Sequence, residues 1–324
     1  MRMNRRALLG ATAAGLALPA LRSARAQDEW PSKPVRIIVP YAPGGGTDVT
    51  TRAIGEVLGE KLGQGFVIDN RAGANGVVGT EGVARSAPDG YTYVAATSTH
   101  VMNRHILPSL PYHPLNDFTP ISLLARYPLV LMTGKGSPYN TLADLLKDAK
   151  AKKGQIAQGT SDAQSSFTAN NFAKQAGVEL VEVPYRGSGA YLADLTGGHL
   201  PVAWGSTATA MPLLAAGTVR VLGLSSPERS RFLPDVPTLG EQGVPGADFT
   251  GWFGLFAPAG LNPAIADRLN TAITEAFQTA VLKQRMDSLA VDPAPITRPD
   301  FVALLQREDR RWAAAARDNL LPRA

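Results

Sequence analysis

The sequence has no cysteine and only four histidines, and its charges cancel once the first 26 residues are set aside. Without cysteine the chain forms no disulfide and offers no thiolate to a metal ion. Residues 1–26 hold five of the 32 basic residues and none of the 27 acidic ones, so residues 27–324 carry 27 of each sign. A neutral chain lacks the positive surface with which proteins bind nucleic acid or acidic membranes. We therefore expect neither partner.

The first 26 residues have the three-part layout of a secretory signal. Residues 1–6 are short and positive, residues 7–21 form an uncharged run, and Ala24-Arg25-Ala26 is a small-x-small cleavage site. The uncharged run is short for a membrane-spanning helix, which makes a membrane anchor the weaker alternative. We predict cleavage after Ala26 and a mature protein in the periplasm. Arg5 and Arg6 also fit a twin-arginine signal, although Sec signals can begin with adjacent arginines too.

Short β-rich runs alternate with helical patterns along the rest of the chain. We predict strands at residues 35–39, 65–69, 91–95, 129–132, 201–204 and 219–224. Thr47 is the predicted N-cap of a first helix, Thr141 begins a capping box, and Gly177 ends a helix over 165–176. This alternation is typical of α/β proteins with a mainly parallel sheet. We expect two α/β lobes, the first from residues 27–125 and 251–324 and the second from 126–250.

The most informative segment is residues 40–48, PYAPGGGTD, between a predicted strand and a predicted helix. Ligands bind at the carboxyl ends of strands in open α/β sheets, and glycines let several backbone N–H groups approach one ligand. The positive end of the helix dipole favours an anion there. The alternative is a tight turn with no ligand. The segment is not a dinucleotide fingerprint, because Val49 stands where the third glycine would be.

Four further clusters of glycine and hydroxyl residues have the same character, at residues 70–79, 159–166, 184–189 and 205–207. Each one alone is explained by the cap of a helix. Five such clusters, divided between two predicted lobes, favour one shared polar cleft that binds its ligand mostly through backbone groups.

Catalytic and metal sites find little support. Ser188 lacks the spacing of a nucleophile elbow, and His100 and His105 lie five residues apart, unlike a helical zinc pair. Asp48 and Asp162 form a possible acid/base pair across the lobes. We prefer the alternative in which Asp48 stabilises the first turn of its helix. We expect no metal, no cofactor and no catalytic residue.

An ordered set of motifs carries a family resemblance. They are residues 41–48, 70–79, APDGYT at 87–92, LPYHP at 110–114, VPYRG at 183–187, TGGH at 196–199, LPDVPT at 233–238 and WFGLFAPAG at 252–260. The chain resembles the Bug-type extracytoplasmic solute receptors, the substrate-binding components of tripartite tricarboxylate transporters. This resemblance implies a type II periplasmic-binding-protein fold, in which two lobes joined by a hinge close on a small carboxylate. It further implies a monomer that delivers the ligand to integral-membrane permease subunits.

The resemblance and the clusters together give a set of predicted ligand contacts. They are Tyr41, Gly44, Gly45, Gly46, Thr47, Asp48, Ala74, Thr97, Ser98, Thr160, Ser161, Ser165, Ser166, Arg186, Gly187, Trp204 and Ser206. The sequence departs from the family at residues 204–206, where relatives often carry Phe-Asp-Asn, and at Tyr191, where the residue is usually small. The expected ligand is a small di- or tricarboxylate or an aromatic acid. As a hypothesis, these departures favour an aromatic or less polar carboxylate over an amino acid, with Trp204 or Phe167 stacking on the ligand. We prefer the alternative, in which Trp204 is a core residue.

Two other functions stay open on the sequence alone. One is a secreted serine-type hydrolase that uses a serine of the polar clusters. The other is a ligand sensor that passes its occupancy to a membrane signalling kinase.

Overall fold

The computed structural model describes residues 30–317 and residue 321, so the predicted signal segment lies outside the described residues. The strands are β1 (Val35–Val39), β2 (Phe66–Asn70), β3 (Thr92–Thr97), β4 (Phe118–Gly134), β5 (Ala157–Thr160), β6 (Val181–Pro184), β7 (Val202–Ser206), β8 (Val219–Leu224), β9 (Thr250–Pro258) and β10 (Asp292–Pro293). The helices are α1 (Gly46–Leu62), α2 (Val77–Ala84), α3 (Thr99–Ile106), α4 (Leu142–Ala151), α5 (Ala163–Ala176), α6 (Ser188–Thr196), α7 (Thr207–Ala215), α8 (Pro263–Ala276), α9 (Ala280–Ser288) and α10 (Arg298–Arg317), with a 3₁₀ turn at Ala74–Gly76. Among residues 30–317, no helix combines the length and the apolar character that crossing a bilayer requires.

The strands form a continuous sheet whose two halves have the same strand order. The first half runs β2-β1-β3-β9-β4, with β1 parallel to β2 and β3, and β9 antiparallel to its neighbours. The second half runs β6-β5-β7-β4-β8, with β5 parallel to β6 and β7, and β4 antiparallel to its neighbours. We call the first half with helices α1–α3 and α8–α10 lobe 1, and the second half with α4–α7 lobe 2. The predicted α/β class is confirmed.

Strand β4 belongs to both lobes. It pairs with β9 as far as Pro128 and with β7 from Leu129 onward, so the strand predicted at 129–132 is only its second half. The chain therefore enters lobe 2 at Leu129, and it returns to lobe 1 after Phe249. Ser225 forms a hydrogen bond with the chain at each of these two positions. Its hydroxyl donates to the carbonyl of Phe249 at 2.6 Å and accepts from the N–H of Leu129 at 2.9 Å. The exact residue boundaries of the lobes stay a prediction.

Two of the predicted helix ends are confirmed and a third is not. Thr141 accepts from the N–H of Asp144, whose carboxylate accepts from the N–H of Thr141, which completes the predicted capping box. Gly177 ends α5 in the left-handed conformation, with φ of 63°. The prediction for Thr47 was wrong. The N-cap of the first helix lies two residues earlier, at Gly45, and makes no side-chain capping bond.

An aromatic cluster buries one histidine in the core of lobe 1. The ring of His100 lies 4.5 Å from that of Phe256 and 4.8 Å from that of Phe118, and its Nε2 bonds the carbonyl of Pro114 at 2.9 Å. His100 is 2% exposed. Burial lowers its pKa to about 4, although the bond to Pro114 acts in the opposite direction.

We expect this histidine to make the fold acid-sensitive. In the unfolded chain it protonates below about pH 6.5, but in the folded chain only below about pH 4. Stability is therefore complete above about pH 6.5, and about 3 kcal/mol is lost as the pH falls to 4. Urea unfolding at pH 7 and pH 4.5 measures this loss. His100→Gln should reduce the pH dependence, whereas His199→Gln, at an exposed position, should not. Equal pH dependence in all three proteins would contradict the prediction.

A candidate binding cleft between the lobes

A small central cavity lies where the two lobes meet. Its free volume is about 30 Å³. It is lined by Tyr41, Ala42, Gly45, Gly46, Thr47, Asp48, Thr97, Tyr127, Leu129, Ser161, Asp162, Gln164, Gly187, Ser188, Gly205, Ser206 and Phe253. The lining comes from both lobes, and much of it follows the carboxyl ends of the parallel strands β1, β3, β5 and β7. This is the position at which open α/β sheets bind ligands.

Four helices begin at this cavity, one from lobe 1 and three from lobe 2. Gly45 and Gly187, the N-caps of α1 and α6, make no side-chain capping bond. Asp162 and Ser206 cap α5 and α7 through their side chains. The first N–H groups of a helix have no acceptor within the helix, and the helix dipole makes its beginning positive. The cavity therefore favours an anion, although it is lined by no lysine or arginine among the described residues.

The lobes are in direct contact around the cavity. The N–H of Gly46 donates to Oγ1 of Thr209 at 2.9 Å, and the N–H of Ala42 donates to the carbonyl of Arg186 at 3.0 Å. The first bond joins the start of α1 in lobe 1 to α7 in lobe 2, and the second joins the loop after β1 to the loop before α6. The structure is therefore that of a closed cleft.

Gln164 joins the lobes at the base of the cleft. It is 3% exposed. Its Nε2 donates to the hydroxyl of Tyr127 at 2.7 Å, its Oε1 accepts from the hydroxyl of Ser98, and its backbone N–H donates to Oγ1 of Thr99 at 3.3 Å. All three partners lie in lobe 1 or on the lobe 1 half of β4.

We expect Gln164→Ala to weaken this contact and open the cleft. A buried polar group that loses its partner costs about 1–3 kcal/mol, and the hydroxyls of Tyr127 and Ser98 would both lose one. Small-angle X-ray scattering of the purified protein should show a larger radius of gyration. Gln175→Ala, near the exposed end of the same helix, serves as the control. Identical scattering from both variants would show that Gln164 does not hold the lobes together.

Asp48 and Asp162 line the same cavity, but each carboxylate is held by partners of its own. Asp48 accepts from the N–H of Gly44 at 2.9 Å and forms a salt bridge with Arg52 at 2.9 Å. This agrees with the alternative in which Asp48 stabilises the start of its helix. Asp162 accepts from the N–H of Ser165 at 2.9 Å and from the hydroxyl of Thr97 at 3.0 Å.

Asp162 also acts on the tyrosines around it. Burial, followed by the negative charge of Asp162, raises the pKa of Tyr41 and of Tyr127 far above the ordinary value. Both hydroxyls therefore stay protonated and remain hydrogen-bond donors at any physiological pH. The hydroxyl of Tyr41 lies 3.1 Å from that of Thr97.

The structure brings many of the predicted contact residues together. Those that line the central cavity are Tyr41, Gly45, Gly46, Thr47, Asp48, Thr97, Ser161, Gly187 and Ser206. Thr160 and Ser166 line a neighbouring chamber, and Ala74 and Arg186 line a rim cavity beside it. Ser98 and Ser165 bond to Gln164 and Asp162 instead, and Gly44 lies just outside the central cavity. Whether these residues contact a ligand stays a prediction.

Trp204 and Phe167, the residues proposed to stack on a ligand, do not line the central cavity. Trp204 is fully buried, its ring packs edge-on against Phe172 at 5.3 Å, and its Nε1 donates to Gln158 at 3.0 Å. Its side chain is a core residue, as the alternative held. Phe167 packs against Phe249 and Trp312.

Several cavity residues were not among the predicted contacts. They are Ala42, Tyr127, Leu129, Asp162, Gln164, Ser188, Gly205 and Phe253. Gln164 and Ser188 stand inside two of the polar clusters, so the clusters had marked the correct loops. Tyr127 and Phe253 lie in strands, where the sequence carries no comparable signal.

Metal binding finds no support in residues 30–317, where no three histidine, aspartate or glutamate side chains gather closely enough to hold an ion. Histidines are also absent from the described lining of the central cavity. His100 lies in the core, and His105 bonds Asp309 at 2.8 Å.

Comparisons with known proteins all identify one family of periplasmic receptors. Residues 50–319 match the family described as tripartite tricarboxylate transporter family receptor. Protein BugT of Bordetella pertussis is 32% identical over 320 residues, which cover 98% of each chain. The structure of R. palustris Rpa4515 with adipate has a TM-score of 0.86 and 32% identity, covering 91% of this chain and 100% of that one. The structure of periplasmic binding protein BugD has a TM-score of 0.86 and 26% identity, with the same coverage.

Proposed function

This chain belongs to the tripartite tricarboxylate transporter receptor family, and on that premise we propose that it captures a small carboxylate between its lobes and delivers it to a membrane transporter. The family membership and the two-lobed α/β fold of the periplasmic binding proteins confirm what the sequence motifs predicted. The observation that carries the proposal is the central cavity, on which the N-termini of helices from both lobes converge.

The energetics of the cavity suit a carboxylate. Hydrogen bonds to a charged group contribute about 1.5–3 kcal/mol each, whereas association costs about 4–15 kcal/mol. With four or five such bonds, the binding free energy reaches about −8 kcal/mol only when the association cost is near the lower end of its range. A binding free energy of about −8 kcal/mol corresponds to micromolar affinity. A related protein has been solved with adipate, which supports a carboxylate as the ligand class here.

Closure of the lobes is the proposed transport signal. Only a closed cleft lets donors from both lobes reach one ligand, so the ligand shifts the population toward the closed state. We assign the moving bodies to residues 27–125 with 251–324 and to residues 126–250. The permease subunits would then recognise the surface that closure creates, with the receptor acting as a monomer.

Export to the periplasm is part of the proposal. Its support is the three-part layout of residues 1–26, with cleavage after Ala26, and the likeness to periplasmic binding proteins.

The proposal includes no bond-breaking step. A serine hydrolase needs a base within hydrogen-bond reach of its nucleophile. The central cavity contributes Ser161, Ser188 and Ser206 but no histidine among its described lining residues. Ser188 and Ser206 both lie 3.1 Å from the hydroxyl of Thr209 instead.

Thermal-shift assays and scattering test the function together. A panel of di- and tricarboxylates, aromatic acids and amino acids should contain members that raise the melting temperature, and those members should reduce the radius of gyration. Mass spectrometry of the small molecule that co-purifies would identify the natural ligand. Turnover of an ester or amide panel, or binding without compaction, would contradict the proposal.

A further inference from the structure

A second compartment adjoins the central cavity, and its charge differs from what a dicarboxylate requires. We name it the outer chamber. It is lined by Asn75, Ile106, Thr160, Ser161, Asp162, Ala163, Ser166, Glu182, Pro184 and Tyr185, and its free volume is about 380 Å³. Ser161 and Asp162 also line the central cavity, so the two spaces share one wall.

The volumes assign different parts of a ligand to the two spaces. A buried water needs about 10–15 Å³ of such volume, so the 30 Å³ of the central cavity hold two waters or one carboxylate group. A longer acid has to extend past Ser161 and Asp162. The outer chamber has the room for that extension.

The carboxylates of Glu182 and Asp162 line the outer chamber, and the groups that donate hydrogen bonds to them are neutral. Glu182 accepts from the hydroxyl of Thr160 at 2.7 Å and from Nδ2 of Asn170 at 2.8 Å. Asp162, which is 8% exposed, accepts from the N–H of Ser165 and the hydroxyl of Thr97. Each carboxylate oxygen can accept a second hydrogen bond.

The described lining of the chamber contains no cation, and Arg186 lines the adjoining rim cavity, which shares Asn75, Ser161, Pro184 and Tyr185 with the chamber. None of its ten described lining residues is a lysine, an arginine or a histidine. The remaining walls are partly apolar, through Ile106, Pro184 and Tyr185, and suit a methylene chain. Asp162 also lines the central cavity, but there the beginnings of α1, α6 and α7 offset its charge, whereas only α5 begins at the outer chamber. A second carboxylate placed in the outer chamber would therefore meet two like charges, whereas an ammonium group would meet two opposite ones.

We infer that the ligand is a monocarboxylate whose far end carries a cationic amino group, bound in the outer chamber beside Glu182 and Asp162. This inference rests on the proposed function, because the acid group occupies the central cavity. The inference narrows the ligand from carboxylates in general to those with a distant amino group. It attributes this specificity to the outer chamber and not to stacking on Trp204.

Four acids with the same six-carbon chain test the inference by isothermal titration calorimetry: 6-aminohexanoate, 6-hydroxyhexanoate, hexanoate and adipate. We expect 6-aminohexanoate to bind about tenfold tighter than adipate, because two partly buried opposite charges replace two like ones. The neutral acids should lie between them. Tighter binding of adipate, or equal binding of the amino and hydroxy acids, would overturn the inference.

Variants that remove one carboxylate charge test whether the outer chamber causes the difference in affinity between these acids. Glu182→Gln should weaken 6-aminohexanoate and strengthen adipate, so that the ratio of their affinities falls about threefold or more. Asp162→Asn should act in the same direction, and asparagine remains a good N-cap for α5. Glu179→Gln removes an exposed carboxylate of lobe 2 outside the chamber and should leave the ratio unchanged.

The outcomes separate this inference from the function. If Glu182→Gln changes all four affinities equally, or if none of the four acids binds, the inference fails. The wider carboxylate panel then decides the proposed function independently.

Discussion

Gly189→Ala is expected to hold the cleft open and to weaken ligand binding by about two orders of magnitude. In the closed structure, a Cβ at this position would overlap the carbonyl oxygen of Pro43, which lies on the opposite lobe. It would also come within 3.2 Å of the N–H nitrogen of Gly45. Both obstacles are backbone atoms, which cannot rotate away as a side chain can. Closure would have to stop short of the observed contact.

The magnitude follows from the bonds that an open cleft loses. If two charge-assisted bonds from one lobe are lost, at about 1.5 kcal/mol each, affinity falls about 100-fold. Lobe 2 itself should fold normally, because the residue lies in the first turn of α6, where alanine is a better helix former than glycine.

Calorimetry and scattering on one set of proteins measure this effect. The variant should bind the acid that compacts the wild type far more weakly and should not compact with it. Gly136→Ala is the matched control, since a Cβ there meets no atom within 4 Å. Undiminished binding with full compaction in Gly189→Ala would show that the two lobes do not need this approach.

Local patterns in the sequence predicted those elements that their own residues determine. The run at 35–39 is strand β1 with the same ends, and 219–224 is strand β8 with the same ends. The run at 35–39 is rich in β-branched residues and lies between Pro34 and Pro40, and the run at 219–224 is mostly apolar and follows Gly217. The capping box at Thr141 was predicted because both of its partners lie within one turn.

Elements that depend on distant neighbours were missed or shortened. Strand β4 contains Pro120 and Pro128, which argue against a strand, yet it runs for 17 residues because β9, β7 and β8 pair with it. The register shifts next to Pro120 where the ladder is interrupted. Strand β5, Ala157–Thr160, has no alternating pattern and forms between β6 and β7.

The loops that form the site could be predicted from the sequence, but the side chains that line it could not. The polar clusters indicated which loops meet, because they follow strands, and the carboxyl ends of parallel strands lie at one edge of the sheet. Side-chain direction depends on strand register, in which one step turns a residue to the other face. Trp204 therefore points into the core of lobe 2, while the next residue, Gly205, lines the cavity. Ser206 lines the cavity because the strand ends there and its side chain caps α7.

Trp204→Ala is expected to destabilise the protein by about 3–5 kcal/mol, the usual cost of removing a fully buried aromatic side chain. It removes the packing against Phe172 and leaves Oε1 of Gln158 buried without its indole donor. Trp204→Phe restores most of the volume but not the donor, and should cost about 1–3 kcal/mol. Urea unfolding measures both differences.

Ligand affinity distinguishes this core role from the stacking that the sequence suggested. Because the indole does not line the central cavity, Trp204→Phe should bind the same acids as the wild type with nearly unchanged affinity. Val67→Ala, at a position 54% exposed, gives the baseline for a neutral substitution. The opposite result, a Trp204→Phe variant with unchanged stability and weaker binding of aromatic acids alone, would mean that the indole of the wild-type protein turns toward the ligand. In that position the indole could not keep its hydrogen bond to Gln158 and its contact with Phe172, so the two measurements distinguish the two roles.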